Sequence, residues 1–333
     1  MDRQAFSQVQ QLSGSFFVSR ALHVVAELGV ADWLDDNGTS PLAKVARATG
    51  ADEQALGRVL RLLSSHGIFT LHGAFVGHSA ASELLRSDHP ASLRDFARMF
   101  GGTVMWRSAE GLLHSIRTGE AAAPRMFPNG GFWGYLESHP DEARVFDAAM
   151  MAKARVQIEA ILAAHDFAQY ESVADIGGGQ GHLLRAALTA HPALQGVLFE
   201  LPHVIEAARS ANGLGDRLAF QAGDFFKDDL PKCDAYILME IVHDWADMPA
   251  LDIIAAVRRA ARPESKLLVI ETVVPEGPAV DWSKTLDIVM LTLFAGSQRT
   301  TEQYRDLLSK GSFALKRETD TGAGISIFEA EAI

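Results

Sequence analysis

The chain of 333 residues carries 30 Lys and Arg against 42 Asp and Glu, a formal charge of −12, with a single cysteine and 48% hydrophobic residues. That length suits about two domains, and the apolar content suits packed cores rather than disorder. The acidic balance argues against a nucleic-acid binder; lone Cys233 excludes a disulfide scaffold and a multi-cysteine metal cluster. No apolar run reaches the roughly 18 residues of a membrane span. The opening Met1-Asp2-Arg3-Gln4 lacks a basic segment followed by an apolar one, so no signal peptide is expected and the expected location is the cytoplasm.

Residues 1–95 read as helices with one short hairpin. Phe17, Ala21, Val24, Val25 and Leu28 recur at helical spacing, and Gly29 sits where that helix ends. A second helix opens at Ser40-Pro41, with Ser40 as its cap, and closes at Gly50. A third runs from Asp52 to Ser65. Gly67–Leu71, His72-Gly73 and Ala74–Val76 then form a small β-hairpin. Helix, turn, helix and hairpin suggest a winged-helix module. Such modules often bind DNA, but this one holds eight basic against ten acidic residues, which leaves no surplus to attract phosphate. The alternative is a docking module that buries the apolar stripe of residues 16–28, for instance against a second subunit.

Residues 96–165 read as helical and bulky. Trp106, Phe146 and Met150 stand among many apolar side chains, and the stretch Pro124–Gly134 reads as a hinge or a pocket wall. From about residue 170 strands alternate with helices. The expected strands are Ser172–Ile176, Gly196–Glu200, Leu218–Gln221, Ala235–Ile241 and Lys266–Glu271, with helices at 181–191, 203–211 and 247–261. That alternation predicts a parallel, doubly wound α/β sheet. Helix 301–310, then Phe313–Glu318 and Gly324–Ala330, would add an antiparallel hairpin at its edge. The expected division is therefore 1–95, 96–165 and 166–333.

Val173-Ala-Asp-Ile-Gly-Gly-Gly-Gln-Gly181 is a strand running into a glycine turn that opens a helix. Ligands bind there in such sheets, and Gly177 and Gly179 let the backbone come close. The loop fits neither the dinucleotide fingerprint nor the triphosphate loop, so it approaches a nucleoside without a phosphate anchor. Asp175, Glu200 and Asp224 lie at three successive strand ends. Glu200 is placed to accept both ribose hydroxyl protons, Asp224 in Gly223-Asp-Phe-Phe226 to accept from an adenine amine, and Phe225 to lie on the adenine face. A nucleoside held this way suggests S-adenosylmethionine.

Tyr236–Val242 is an apolar strand that delivers His243, followed by Asp244-Trp245, to the ligand-bearing edge. Methyl transfer to a hydroxyl needs a base: a phenol is mostly protonated near neutrality, and an imidazole can take its proton without a metal. No Cys, His and Asp cluster has metal spacing; His72 and His78 flank a hairpin with no further ligand residue at such spacing.

Asp175–Gly181, Phe199-Glu-Leu-Pro-His-Val204, Gly223–Phe226, Ile241-Val-His-Asp-Trp245 and Gln298-Arg-Thr300 together resemble the small-molecule O-methyltransferases that include plant caffeic acid O-methyltransferase and bacterial polyketide and anthracycline O-methyltransferases. The resemblance spans nearly the whole chain. It implies a Rossmann-like methyltransferase domain, an N-terminal dimerisation module and hence a homodimer. It implies His243 as general base, Asp244 beside it, and Glu271 orienting the imidazole. Where the family often carries a second Glu, this chain has Gln298, which brings no negative charge. The same resemblance implies an acceptor pocket of Trp106, Phe146, Met150, Met290 and Phe294, suited to a flat aromatic acceptor, and Arg144 on the cofactor carboxylate. A relative that binds the cofactor but hydroxylates or decarboxylates is the alternative reading, and a DNA-binding regulator the third.

Overall fold

Continuous apolar runs such as Tyr236–Met239 and Leu267–Ile270 become central strands, because strands covered on both faces have no polar side to show. A computed structural model describes residues 2–35, 38–210 and 213–333. It divides into two compact units, one of residues 1–107 and 133–153, the other of 108–132 and 154–333. The stretch 96–165 is thus shared between the units.

In the first unit, α1 (Arg3–Glu27) is longer than the stripe at 16–28 implied. Its buried side chains are Ala21, His23, Val25 and Ala26, whereas Phe17 and Val24 of the stripe are exposed within this chain. Ser40 is not a cap. It lies in β1 (Thr39–Pro41), where its hydroxyl donates to Asp35 Oδ2 and accepts from the Asp35 amide. The helix α2 (Leu42–Thr49) starts after Pro41 and ends at Gly50 with a left-handed φ of 67°. In α3 (Glu53–Ser64) the Asp52 carboxylate accepts from Ala55 N, as a cap should. The hairpin strands β2 (Thr70–His72) and β3 (Phe75–Gly77) join β1 in a three-stranded sheet of order β1-β3-β2.

The second unit holds a seven-stranded sheet of order β6-β5-β4-β7-β8-β10-β9. Its parallel members are β4 (Ser172–Ile176), β5 (Gln195–Glu200), β6 (Leu218–Ala222), β7 (Ala235–Met239) and β8 (Lys266–Glu271). The edge hairpin is β9 (Phe313–Asp320) and β10 (Ser326–Ala332), with β10 antiparallel to β8. Helices α4 (His182–Ala190), α5 (Pro202–Arg209), α6 (Asp247–Ala260), α7 (Trp282–Phe294) and α8 (Thr301–Lys310) flank the strands. The helix expected at 203–211 ends in Ala211, which lies outside the described residues. One core cluster joins Tyr236, Leu238, Leu267 and Val269 to Ile253, Tyr304 and Phe328; a second joins Val173, Leu198, Ile237 and Leu268 to Leu184 and Ile161. The doubly wound α/β reading with its antiparallel edge is borne out. No helix among the described residues is long and apolar enough to cross a membrane.

Candidate active site

The strand order reverses between β4 and β7, which places the glycine loop after β4 at the crevice where such sheets take ligands. Gly177 and Gly179 adopt φ of +71° and +58°, conformations that glycine tolerates and L side chains resist. A Cβ on Gly178 would fall 2.3 Å from the Asp175 carboxyl, so the chain must be bare where it crosses that acid. Asp175 itself is buried, and its Oδ1 has no hydrogen-bond partner. Burial, with a smaller contribution from the Glu200 charge, pushes its carboxyl up to about 7.

Glu200 ends β5 and accepts from the Leu201 amide. Burial raises its pKa against the opposing pull of the Leu201 and Gly179 amides. Asp224 accepts from Phe226 N at 2.9 Å and from Lys227 Nζ at 2.7 Å, and the lysine bond holds its carboxyl below the usual range. Gly223 has no room for a side chain, since a Cβ there would lie 2.6 Å from Phe199. The Phe225 ring faces the loop 3.6 Å from where a Gly177 Cβ would sit. It stands in a cluster with Phe226 and Trp245, at centroid distances of 4.8 and 6.2 Å. This edge therefore offers one buried and two half-buried carboxylates, a close backbone and an aromatic wall. That set fits a ligand bearing hydroxyl, amine and flat aromatic groups, and so fits an adenosyl compound.

His243 is not on the strand that sequence reading extended to it. β7 stops at Met239, Glu240 takes a left-handed φ of 54°, and Val242–Asp244 form a short 3-10 turn. That turn buries His243 to 8% exposure beside Glu271, the fully buried last residue of β8. Nδ1 lies 2.6 Å from Glu271 Oε2, and the His243 amide donates to Oε1 at 3.3 Å. A carboxylate can only accept, so the proton of this pair sits on Nδ1. Nε2 lies 3.3 Å from Asp244 Oδ1. Burial works against the charged imidazole, but the Glu271 charge and the bonds to both carboxylates outweigh it, and the pKa stands well above its ordinary value.

Gln298 makes no side-chain bond to this pair. Its amide is buried with both polar atoms unpartnered, while its backbone N–H donates to Asp287 Oδ1. Met290 and Phe294 lie one turn apart on α7, and Phe294 meets Phe132 edge-on at 5.3 Å. Trp106, Phe146 and Met150 belong to the first unit. There Trp106 meets His23 edge-on at 6.0 Å and Phe146 meets Trp133 at 5.7 Å. Arg144, also in that unit, is an exposed residue ion-paired with Asp141. Among the described residues no group of three or more His, Cys, Asp or Glu is placed to hold a metal.

Residue reasoning missed Arg299. It is 2% exposed and binds the carbonyls of Val242 and Trp245 on either side of the His243–Asp244 pair. An arginine between Gln298 and Thr300 carries no periodic signal, because its partners lie more than fifty residues away.

Residues 111–314 match the O-methyltransferase domain family, and residues 10–88 match the O-methyltransferase dimerisation domain. The chain is 38% identical to a phenazine O-methyltransferase of Lysobacter antibioticus, covering 98% of this chain and 95% of that one. It is 36% identical to a mitomycin biosynthesis 6-O-methyltransferase of Streptomyces lavendulae, covering 92% and 88%. Among solved structures, an O-methyltransferase from neocarzinostatin biosynthesis in complex with S-adenosylmethionine and 2-hydroxy-5-methyl naphthoic acid superposes with a TM-score of 0.78 at 34% identity, over 95% and 96% of the two chains. This chain belongs to the O-methyltransferase family. It is an S-adenosylmethionine-dependent enzyme with a dimerisation domain ahead of its catalytic domain.

Proposed function

We propose that the protein methylates a hydroxyl of a small aromatic or polyketide-like metabolite, with His243 as general base and no metal in the step. The observation that carries this reading is the buried His243–Glu271 pair at the ligand-bearing edge of the sheet. Relatives named for phenazine and mitomycin methylation, and the neighbour holding a naphthoic acid, support the acceptor class.

When bound, S-adenosylmethionine supplies a methyl group on a positively charged sulfur, open to attack by oxygen. Glu200 would hold the ribose hydroxyls, Asp224 the adenine amine, and Phe225 the adenine face. The backbone at Gly177, Gly179 and Gly223 would allow close approach, and Asp175 would accept from the remaining polar hydrogens. His243 Nε2 takes the acceptor's hydroxyl proton, and Glu271 fixes the tautomer and offsets the charge that forms. Asp244, beside Nε2, gives way to the acceptor hydroxyl as it binds. Holding the acceptor beside the bound cofactor would supply the rest of the rate. In the catalytic unit Met290 and Phe294 would bound the acceptor; the family resemblance adds Trp106, Phe146 and Met150 to that role and Arg144 to the cofactor carboxylate.

Incubation with methyl-labelled S-adenosylmethionine and a panel of hydroxylated naphthoates and phenazines tests the reading. Label in the acceptor, with equal S-adenosylhomocysteine and no loss on adding EDTA, is the expected result. Cofactor binding without S-adenosylhomocysteine formation would favour the non-methylating alternative.

The same reading includes a homodimer. It is supported by the dimerisation domain and by Phe6, Val9, Leu12, Phe16 and Phe17, which all stand exposed on α1. Light scattering should give twice the chain mass, and Phe17→Asp should shift the protein toward monomer. A monomer mass for the unaltered protein at micromolar concentration would refute the dimer.

A further inference from the structure

We propose that Arg299 is a positioning residue for the reaction, gripping the turn that carries His243 and so holding the imidazole on Glu271. The proposal rests on the base assignment above, and its observations are independent of that assignment. Arg299 Nη1 donates to the Val242 carbonyl at 2.9 Å and to the Ser297 carbonyl at 3.3 Å. Nη2 donates to the Trp245 carbonyl at 2.9 Å and to Asp247 Oδ1 at 2.9 Å, and Nε donates to the same oxygen at 3.1 Å. Ser297 N donates to the carbonyl of His243 itself at 2.9 Å. The carbonyls of residues 242, 243 and 245 are thus all held by residues 297 and 299.

The brace is anchored at its own end. Arg299 pairs with Val273, two residues beyond Glu271, and Val274 N donates to the Arg299 carbonyl at 3.0 Å. It is also shaped for close contact. A Cβ on Gly296 would lie 2.1 Å from the His243 carbonyl oxygen, and Ala295 takes a left-handed φ of 56° to lead into it. The guanidinium is the right group for this work. Its planar fork reaches several acceptors at fixed angles, whereas an ammonium offers one point of charge on a flexible stem. A buried arginine is costly unless its donors are met, and here the backbone carbonyls beside the base meet them. Trp245, whose carbonyl is one of the three, also packs its ring against Phe225 and Phe226. The same grip therefore ties the base to the aromatic wall of the nucleoside site.

The test uses the full-length protein with S-adenosylhomocysteine affinity, steady-state rates, and the titration of His243 by NMR. The charged groups that face this imidazole are Glu271 from β8 and Asp244 from its own turn; the Arg299 guanidinium bonds the neighbouring Val242 carbonyl and the Tyr304 phenol the Thr272 carbonyl. Arg299→Lys keeps the charge and loses the fork. We expect S-adenosylhomocysteine binding within about threefold of the parent, kcat lower by about 100-fold, and a His243 midpoint moved down toward the ordinary imidazole range. Gly296→Ala disturbs the same turn without touching any charge and should give the same signature. Added guanidinium should restore part of the activity of Arg299→Ala. The proposal is overturned if Arg299→Lys keeps the parental kcat and titration. It is equally overturned if activity falls only in step with the fraction of protein able to bind S-adenosylhomocysteine. The NMR midpoint is read without turnover, so it judges the brace even if methyl transfer itself were not found.

Discussion

Replacing His243 with Ala should lower kcat by about 10²–10⁴-fold while leaving S-adenosylhomocysteine affinity within a few-fold of the parent. In the proposed reading the imidazole takes the hydroxyl proton: Nδ1 lies 2.6 Å from Glu271 Oε2, and Nε2, 3.3 Å from Asp244 Oδ1, would be the nitrogen that meets the acceptor. The carboxylates and glycines assigned to the adenosyl group sit on other loops, so nucleoside binding does not need the ring. The split between kcat and cofactor affinity is the diagnostic feature, because a variant that merely unfolds loses both. Full activity of His243→Ala across hydroxylated acceptors would remove this residue as the base.

The second large effect concerns pH. His243 is held well above its ordinary value of 6.5, a net result of the opposing burial and the stronger pull of the Glu271 and Asp244 carboxylates. A base must be unprotonated to act, so the rate should rise with pH through a midpoint above 6.5. Glu271→Gln removes the leading source of that elevation, so the midpoint should fall, and the plateau rate should drop by about tenfold or more as the base weakens. Asp244→Asn should move the midpoint the same way by less. Stability follows the same proton. A histidine whose folded pKa is raised stabilises the fold fully below its unfolded value near 6.5, and that contribution fades as pH rises through the folded value. Thermal unfolding of the parent should therefore weaken above pH 6.5 more than that of Glu271→Gln. A midpoint that stays put in Glu271→Gln would contradict the electrostatic role given to that carboxylate.

Much of the catalytic unit was legible because its signals are local. Strands covered on both faces read as unbroken apolar runs, as at Tyr236–Met239 and Leu267–Ile270, and a glycine turn after a strand marks the ligand edge. Glu200 and Glu271 fell at strand ends as expected. What stayed hidden depends on distant partners. The extra turns of α1 leave Phe6, Val9 and Leu12 exposed, so no packing within the chain marks them. Ser40 had the chemistry of a cap, but pairing of β1 with β3 and the bond to Asp35 claimed it first. The division of residues 96–165 between two units rests on contacts such as Ala122 N to the Thr292 carbonyl, 170 residues apart in the chain. Gln298 was legible as a departure from the family pattern. That its amide would lie buried and unpartnered was not.

The proposed function requires an adenosyl group seated against Glu200 at the edge of the sheet. Calorimetric titration with S-adenosylhomocysteine measures this directly, with Glu200→Leu as the comparison. One binding event per chain is expected, weakened by tenfold or more in Glu200→Leu, because in the proposed reading this half-buried carboxylate accepts from the ribose hydroxyls. Folded protein that gives no binding heat with S-adenosylhomocysteine, across a range of temperatures, would contradict it.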